Sequence, residues 1–277
     1  MNDASHIRAV EDWRRERLAR LTAADGWLTL VGLPWLESGD NTIGSGADND
    51  IVVDGLPARL GTVSLGDDGQ VHMSLADDAG RINGRDVKHA LLLDDGHPQP
   101  TVVSAGDISF FLVRRGDQVG LRIKNVHAAT REQFLGLDCF PVDPSWRIEA
   151  EWRPAEGGQF LEMGTAIGTI EKHPIAGTAT FERDGRRFEL LPVIESPDDG
   201  SFFLVFADQT SGKETYGAAR FLYTEPLDDG HVVLDFNKAY NPPCAFTAFA
   251  TCPMAPPENR LDIRVTAGEK TYRGSAH

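Results

Sequence analysis

The sequence predicts an all-β protein with one N-terminal amphipathic helix, its strands divided between a β-sandwich and a second antiparallel β-barrel or curled β-sandwich. Three observations carry this. Short apolar–polar alternations (TVSL, VHMSL, DISFFLVRR, WRIEAEW, GTATFER, HVVLDF) recur from Asp40 to the end of the chain. Gly, Asn and Asp punctuate them, and a period of two between such turn signals marks half-buried strands, not strand–helix units. Helical spacing is confined to the first 23 residues.

A chain of 277 residues at 41% hydrophobic can bury a full core as one large or two modest domains. Its formal net charge of −15 opposes nucleic acid and anionic membrane surfaces, so neither is an expected partner. The charged start (Glu11-Asp12, Arg14-Arg15-Glu16-Arg17) lacks the apolar stretch of a signal peptide, and three cysteines without framework spacing suit a reducing cytoplasm.

Residues 1–39 form the first segment. Over residues 3–23, Ile7, Val10, Trp13, Leu18 and Leu21 fall near one helical face with Arg and Glu opposite, which predicts a docked amphipathic helix. Trp27, Leu30, Leu33, Trp35 and Leu36, set around Gly32 and Pro34, predict short extended pieces that anchor it.

Residues 40–118 read as a sandwich of antiparallel strands. Thr42-Ile43-Gly44, Asp48-Asn49-Asp50-Ile51, Ile82-Asn83-Gly84 and Ser104-Ala105-Gly106-Asp107-Ile108-Ser109 together resemble a forkhead-associated domain. That family grips phosphothreonine through an arginine after the first glycine and a serine-arginine-x-histidine loop. Ser45 and Pro57-Ala58-Arg59-Leu60-Gly61 stand there instead, so the resemblance implies a scaffold that has lost the charge-assisted donors for a phosphate dianion.

Residues 119–277 begin with a transition, where Phe134 to Pro144 suggest a helical turn and a linker, and continue with eight or nine strands including LDIRVTAG near the end. Asp184-Gly185 predicts a two-residue hairpin turn. Late in this region polar groups become dense. The loop Asp208-Gln-Thr-Ser-Gly-Lys-Glu-Thr-Tyr-Gly leaves one strand and enters another that starts at Arg220. Lys213 and Arg220 beside a Ser-Gly turn suit a carboxylate or phosphate; the bland reading is a loop whose Asp208 and Thr210 cap their own backbone. Asp235, Asn237, Lys238 and Asn241 follow another strand, before Pro242-Pro243, which could preorganise them or merely stiffen the loop. His173, before Pro174, is a further candidate. Cys244 and Cys252 could ligate zinc, form a disulfide, act as nucleophiles or stay buried and inert; zinc needs four ligands, and His173 and His231 offer no short-range motif, while a nucleophile needs a base that the sequence does not place. No cofactor fingerprint is present, and neither metal nor cofactor is expected.

Several stretches also resemble a bacterial family catalogued as domain of unknown function sixteen eighty-four. They are the Trp27–Leu36 start, Phe134 to Pro144, Asp208 to Gly217, Leu234 to Cys244, Cys252-Pro253, Pro256 to Leu261 and Ala267-Gly-Glu-Lys. The resemblance implies a shared polar cluster without an assigned activity.

The reading that follows is a C-terminal pocket for a small anionic molecule, with Asp208, Lys213, Tyr216 and Asp235 as candidate catalytic groups. Arg220, Asn237, Lys238, Asn241 and His173 are the candidate binding groups. Carboxylates with lysine and tyrosine fit hydrolase or lyase chemistry better than redox work. The rival is a non-enzymatic module whose forkhead-like sandwich contacts a protein partner.

Overall fold

The computed structural model describes residues 2–76, 79–195, 200–227 and 230–274. The chain forms two units, one of Thr22–Phe134 and the other of Met1–Leu21 with Leu135–His277. The expected helix and its expected anchor therefore belong to different units. Among the described residues no helix is long and apolar enough to cross a membrane.

Helix α1 spans Asp3–Thr22. The unit that follows holds β1 (Leu30–Gly32), β2 (Gly39–Gly44), β3 (Ile51–Val52), β4 (Gly61–Leu65), β5 (Val71–Leu75), β6 (Arg81–Ile82), β7 (His89–Leu91), β8 (Val102–Ala105), β9 (Ile108–Arg115), β10 (Gln118–Asn125) and a short helix α2 (Ala129–Glu132). The strands make two five-stranded sheets, ordered β1-β10-β9-β8-β6 and β3-β2-β4-β5-β7. Ile43, Val63 and Met73 from one sheet and Val103, Phe110, Leu112 and Leu121 from the other share one core, as a sandwich requires. Asn83 and Gly84, at φ +48° and +71°, turn the chain between Ile82 and Arg85, so this Asn-Gly step acts as its composition predicts. β2 and β3 pair in parallel, a departure from the expected all-antiparallel arrangement.

The second unit adds β11 (Arg147–Pro154), β12 (Phe160–Gly164), β13 (Ile170–Pro174), β14 (Gly177–Arg183), β15 (Arg186–Leu190), β16 (Phe202–Phe206), β17 (Arg220–Pro226) and β18 (His231–Asp235). Six of them form an antiparallel sheet in the order β15-β14-β11-β18-β17-β16, and β12 with β13 makes a separate hairpin. Asp184 and Gly185, at φ +51° and +72°, close the β14–β15 hairpin as predicted. Among the described residues no sheet closes into a barrel, so the barrel alternative is corrected. Residues after β18 cover the sheet instead: Phe236, Ala239, Leu261, Ile263, Val265 and Ala267 pack with Ala150, Phe181, Leu190, Leu204, Phe206, Leu222 and Leu234. Each Leu or Phe so buried contributes about 1.5–3 kcal/mol.

Two local expectations also change. LDIRVTAG alternates like a strand, yet Leu261 to Ala267 joins no ladder. Leu261 N–H and the Ile263 carbonyl bond to the backbone of Ala207 and Gln209, but beyond them side chains claim the backbone: Val265 N–H donates to Asp208 and the carbonyls of Val265 and Ala267 accept from Arg220. On α1 the buried residues are His6, Val10, Arg17 and Leu21, while Leu18 is exposed. The buried stripe is thus rotated from the purely apolar one and carries two polar side chains onto the second unit.

Candidate functional site

The loop after β16 is organised by Asp208. Its carboxylate accepts from Thr210 N–H and Oγ1, from Val265 N–H at 2.6 Å and from Arg220 Nη2 at 3.2 Å. Thr210 Oγ1 lies 2.9 Å from Thr215 Oγ1, which ties the two ends of the loop together. The Asp208 and Arg220 side chains are both fully buried. Burial lowers the Arg220 pKa and Asp208 opposes that shift. A buried charge with its partner and several hydrogen bonds satisfied is a structural network. Asp208 and Thr210 therefore act mainly on their own loop and the neighbouring chain.

Asp235 ends β18 and caps the turn that follows. Asn237 N–H and Nδ2 donate to its Oδ1, and His6 Nε2 lies 2.8 Å from its Oδ2. Asn237 also exchanges hydrogen bonds with the backbone of Asp143. His6 is buried and its Nδ1 has no hydrogen-bond partner.

Asn241 belongs to a third cluster. Its N–H donates to Glu269 Oε2 at 2.8 Å, its Nδ2 donates to the Lys270 carbonyl, and its own carbonyl accepts from Arg17 Nη2. Glu269 is only 2% exposed, and Arg17 Nε stands 3.4 Å from its Oε1, too poorly aligned for a hydrogen bond. Burial raises the Glu269 pKa, against the pull of Arg17 and the Asn241 N–H. Arg14 donates to the Phe140 carbonyl, and the Arg17 guanidinium carbon lies 4.9 Å from the Tyr240 ring centre, with Trp13 stacked at a tilt on the same ring. Gly268 makes this possible: at φ +82° a Cβ there would stand 2.5 Å from the Ala239 carbonyl oxygen, so only glycine brings Glu269 this close. Four buried atoms of the cluster, Arg14 Nε, Arg17 Nε, Asn241 Oδ1 and Glu269 Oε1, make no hydrogen bond.

His6 and Arg17 are eleven residues apart on one helix, roughly 16 Å along its axis, so the second and third clusters lie under opposite ends of α1. The predicted residues are accordingly divided. Asp208 joins Arg220, Asp235 joins Asn237, and Asn241 stands with residues that sequence reasoning did not single out. Lys213 is exposed on its loop, and Lys238 is half-buried. Tyr216 is half-buried and donates to the Cys244 carbonyl at 3.3 Å; burial raises its pKa. His173 sits on the β12–β13 hairpin, its Nε2 3.4 Å from Glu171. The residues missed are His6, Arg14, Arg17 and Glu269. Only Glu269 had a signal, its place in Ala267-Gly-Glu-Lys. Among the described residues no group of three or more His, Cys, Asp or Glu is placed to hold a metal ion.

A family model described as "Protein of unknown function (DUF1684)" matches residues 132–270. The chain belongs to this family. The match holds Asp208, Arg220, Asp235, Asn237, Asn241 and Glu269, whereas His6, Arg14 and Arg17 come from a helix outside it. A solution NMR structure of an uncharacterized protein from Haloarcula marismortui is 34% identical, over 52% of this chain and 80% of that one, with a TM-score of 0.44. No curated protein matches. Neither match speaks for the forkhead-associated resemblance, which rests on the sequence motifs of residues 40–118 alone.

Proposed function

We propose that the second unit binds a small polar anion where α1 meets the chain after β18, with Arg14, Arg17, Asn241 and Glu269 as its contacts. One observation carries this reading, the four buried polar atoms without hydrogen bonds. Buried polar atoms in folded proteins are nearly always paired, so an orphaned set this dense calls for a partner. Two of the atoms are guanidinium donors, which suit a carboxylate; the other two are acceptors, which suit a neighbouring hydroxyl or ammonium. The ligand class is therefore a small hydroxy- or amino-carboxylate. Glu269, whose carboxyl holds its proton to higher pH than a surface glutamate, is the group suited to the proton transfer that hydrolysis or elimination needs. Asp208, Arg220, Asp235 and Asn237 serve as positioning residues; Lys213, Tyr216 and Lys238 remain available from the adjoining loops.

The test is thermal unfolding with a panel of hydroxy-, amino- and plain carboxylates and phosphates. A ligand at a hundredfold its Kd adds about 2.7 kcal/mol, and Arg17→Met and Asn241→Ala should each remove the shift. No stabilisation by any compound would sink the reading. Stabilisation by phosphates alone would overturn the ligand class.

A second reading, the protein-interaction module, is favoured by a cavity of about 570 Å³ in the first unit, lined by Val31, Gly32, Ile51, Val52, Ile123 and Asn125. It lies along β1 and β3, the end strands of their sheets, where an extended segment of a partner can add main-chain hydrogen bonds. Val52→Asp should weaken such a partner and leave carboxylate binding unchanged.

A further inference from the structure

Cys244 and Cys252 take no part in the clusters above, yet they meet. Cys244 N–H donates to Cys252 Sγ at 3.3 Å, which sets the second thiol against the first residue. Neither is in a disulfide. Both belong to one core with Tyr216, Phe221 and Tyr240, and each keeps slight exposure, 7% and 6%. With the Cys252 sulfur against the Cys244 main chain and the two residues eight apart, a bond between their sulfurs would close a short loop without moving distant parts of the chain.

We infer that Cys244 and Cys252 form a peroxide-reactive dithiol that converts reversibly to an intramolecular disulfide. Cys244 is the attacking thiol. The neighbouring Cys252 lowers its pKa in spite of burial, and the thiolate is the nucleophile. In the first step the Cys244 thiolate attacks one oxygen of a hydroperoxide; the S–O bond forms, the O–O bond breaks, and the departing oxygen takes up the thiol proton, leaving as water when the oxidant is hydrogen peroxide. In the second, Cys252 sulfur attacks the resulting sulfenic acid; the S–S bond forms, the S–O bond breaks, and hydroxide leaves with the Cys252 proton as a second water. The two thiols lose two electrons and the peroxide gains them. Cys139 is the internal control, because burial pushes its thiol up to about 11 and leaves it protonated near neutral pH.

The experiment treats the native full-length protein with one equivalent of hydrogen peroxide, then unfolds it in iodoacetamide and maps the peptides. Expected is a Cys244–Cys252 cross-link, lighter by two hydrogens, removed by dithiothreitol, with Cys139 fully alkylated. Cys252→Ser should instead trap a dimedone adduct at Cys244. Recovery of both cysteines as alkylated thiols after treatment, or oxidation of Cys139 ahead of them, overturns the inference. Wild-type mapping alone decides the matter if the serine variant does not fold.

Discussion

Two buried ion pairs of the same unit, Asp208–Arg220 and Glu269–Arg17, show how alike residues come to serve different ends. In the first, the carboxylate faces four N–H or O–H donors besides the guanidinium, and Arg220 spends its outer nitrogens on two backbone carbonyls as well as Asp208. It substitutes for a strand partner at Val265 and Ala267, where backbone pairing with residues 207–209 has ended. In the second, the guanidinium and carboxylate stand 3.4 Å apart without a hydrogen bond between them, and each leaves an atom unpaired. Desolvation is costly in both, but in the first the carboxylate is fully hydrogen-bonded and the guanidinium leaves its Nε alone without a hydrogen bond. A paired network builds the fold, whereas an incompletely paired one leaves room for chemistry with something else.

The largest effect that would break this contrast is on folding. Arg220→Met leaves Asp208 buried and uncompensated and strips two carbonyls of their donor, so urea unfolding should show a loss of about 3–5 kcal/mol. A loss under 1 kcal/mol would mean that the pair is not structural. Next in size is a pH dependence. The Glu269 pKa is raised above its ordinary 4.5, so between that value and the folded one the native state holds more protons than the unfolded state. Stability from this group is complete below 4.5 and is lost as pH rises through the folded pKa, with a slope of at most about 1.4 kcal/mol per pH unit. Glu269→Gln should flatten that slope in urea titrations, and an unchanged slope would assign it to another group. Smallest is Lys213→Ala: the side chain is exposed, and stability should stay within about 0.5 kcal/mol of wild type. A larger loss would show that the 208–217 loop depends on its lysine as well as its aspartate.

Much of the fold is legible in the residues. The Asp184-Gly185 and Asn83-Gly84 turns, the β11, β14 and β18 alternations and the single long helix all follow from local pattern. Where pattern misleads, side chains reached from elsewhere are the reason. Residues 261–267 alternate like a strand, but backbone pairing with residues 207–209 stops at Ile263, and Arg220 and Asp208 take the hydrogen bonds of Val265 and Ala267 that a neighbouring strand would need. The candidate site was legible in its dense polar motifs and not in its grouping. Asp208, Asp235 and Asn241 look equivalent along the chain, yet each found a different buried partner.

Composition, turn chemistry and periodicity by themselves determined an all-β chain with a leading helix, since these depend on neighbours a few positions apart. Which face of the helix is buried was left to the tertiary structure. So was the arrangement of His6 over Asp235 and Arg17 beside Glu269, because contacts between residues more than two hundred positions apart have no local signature. An arginine on a helix reads as solvated until the surface beneath it is known to present a buried carboxylate.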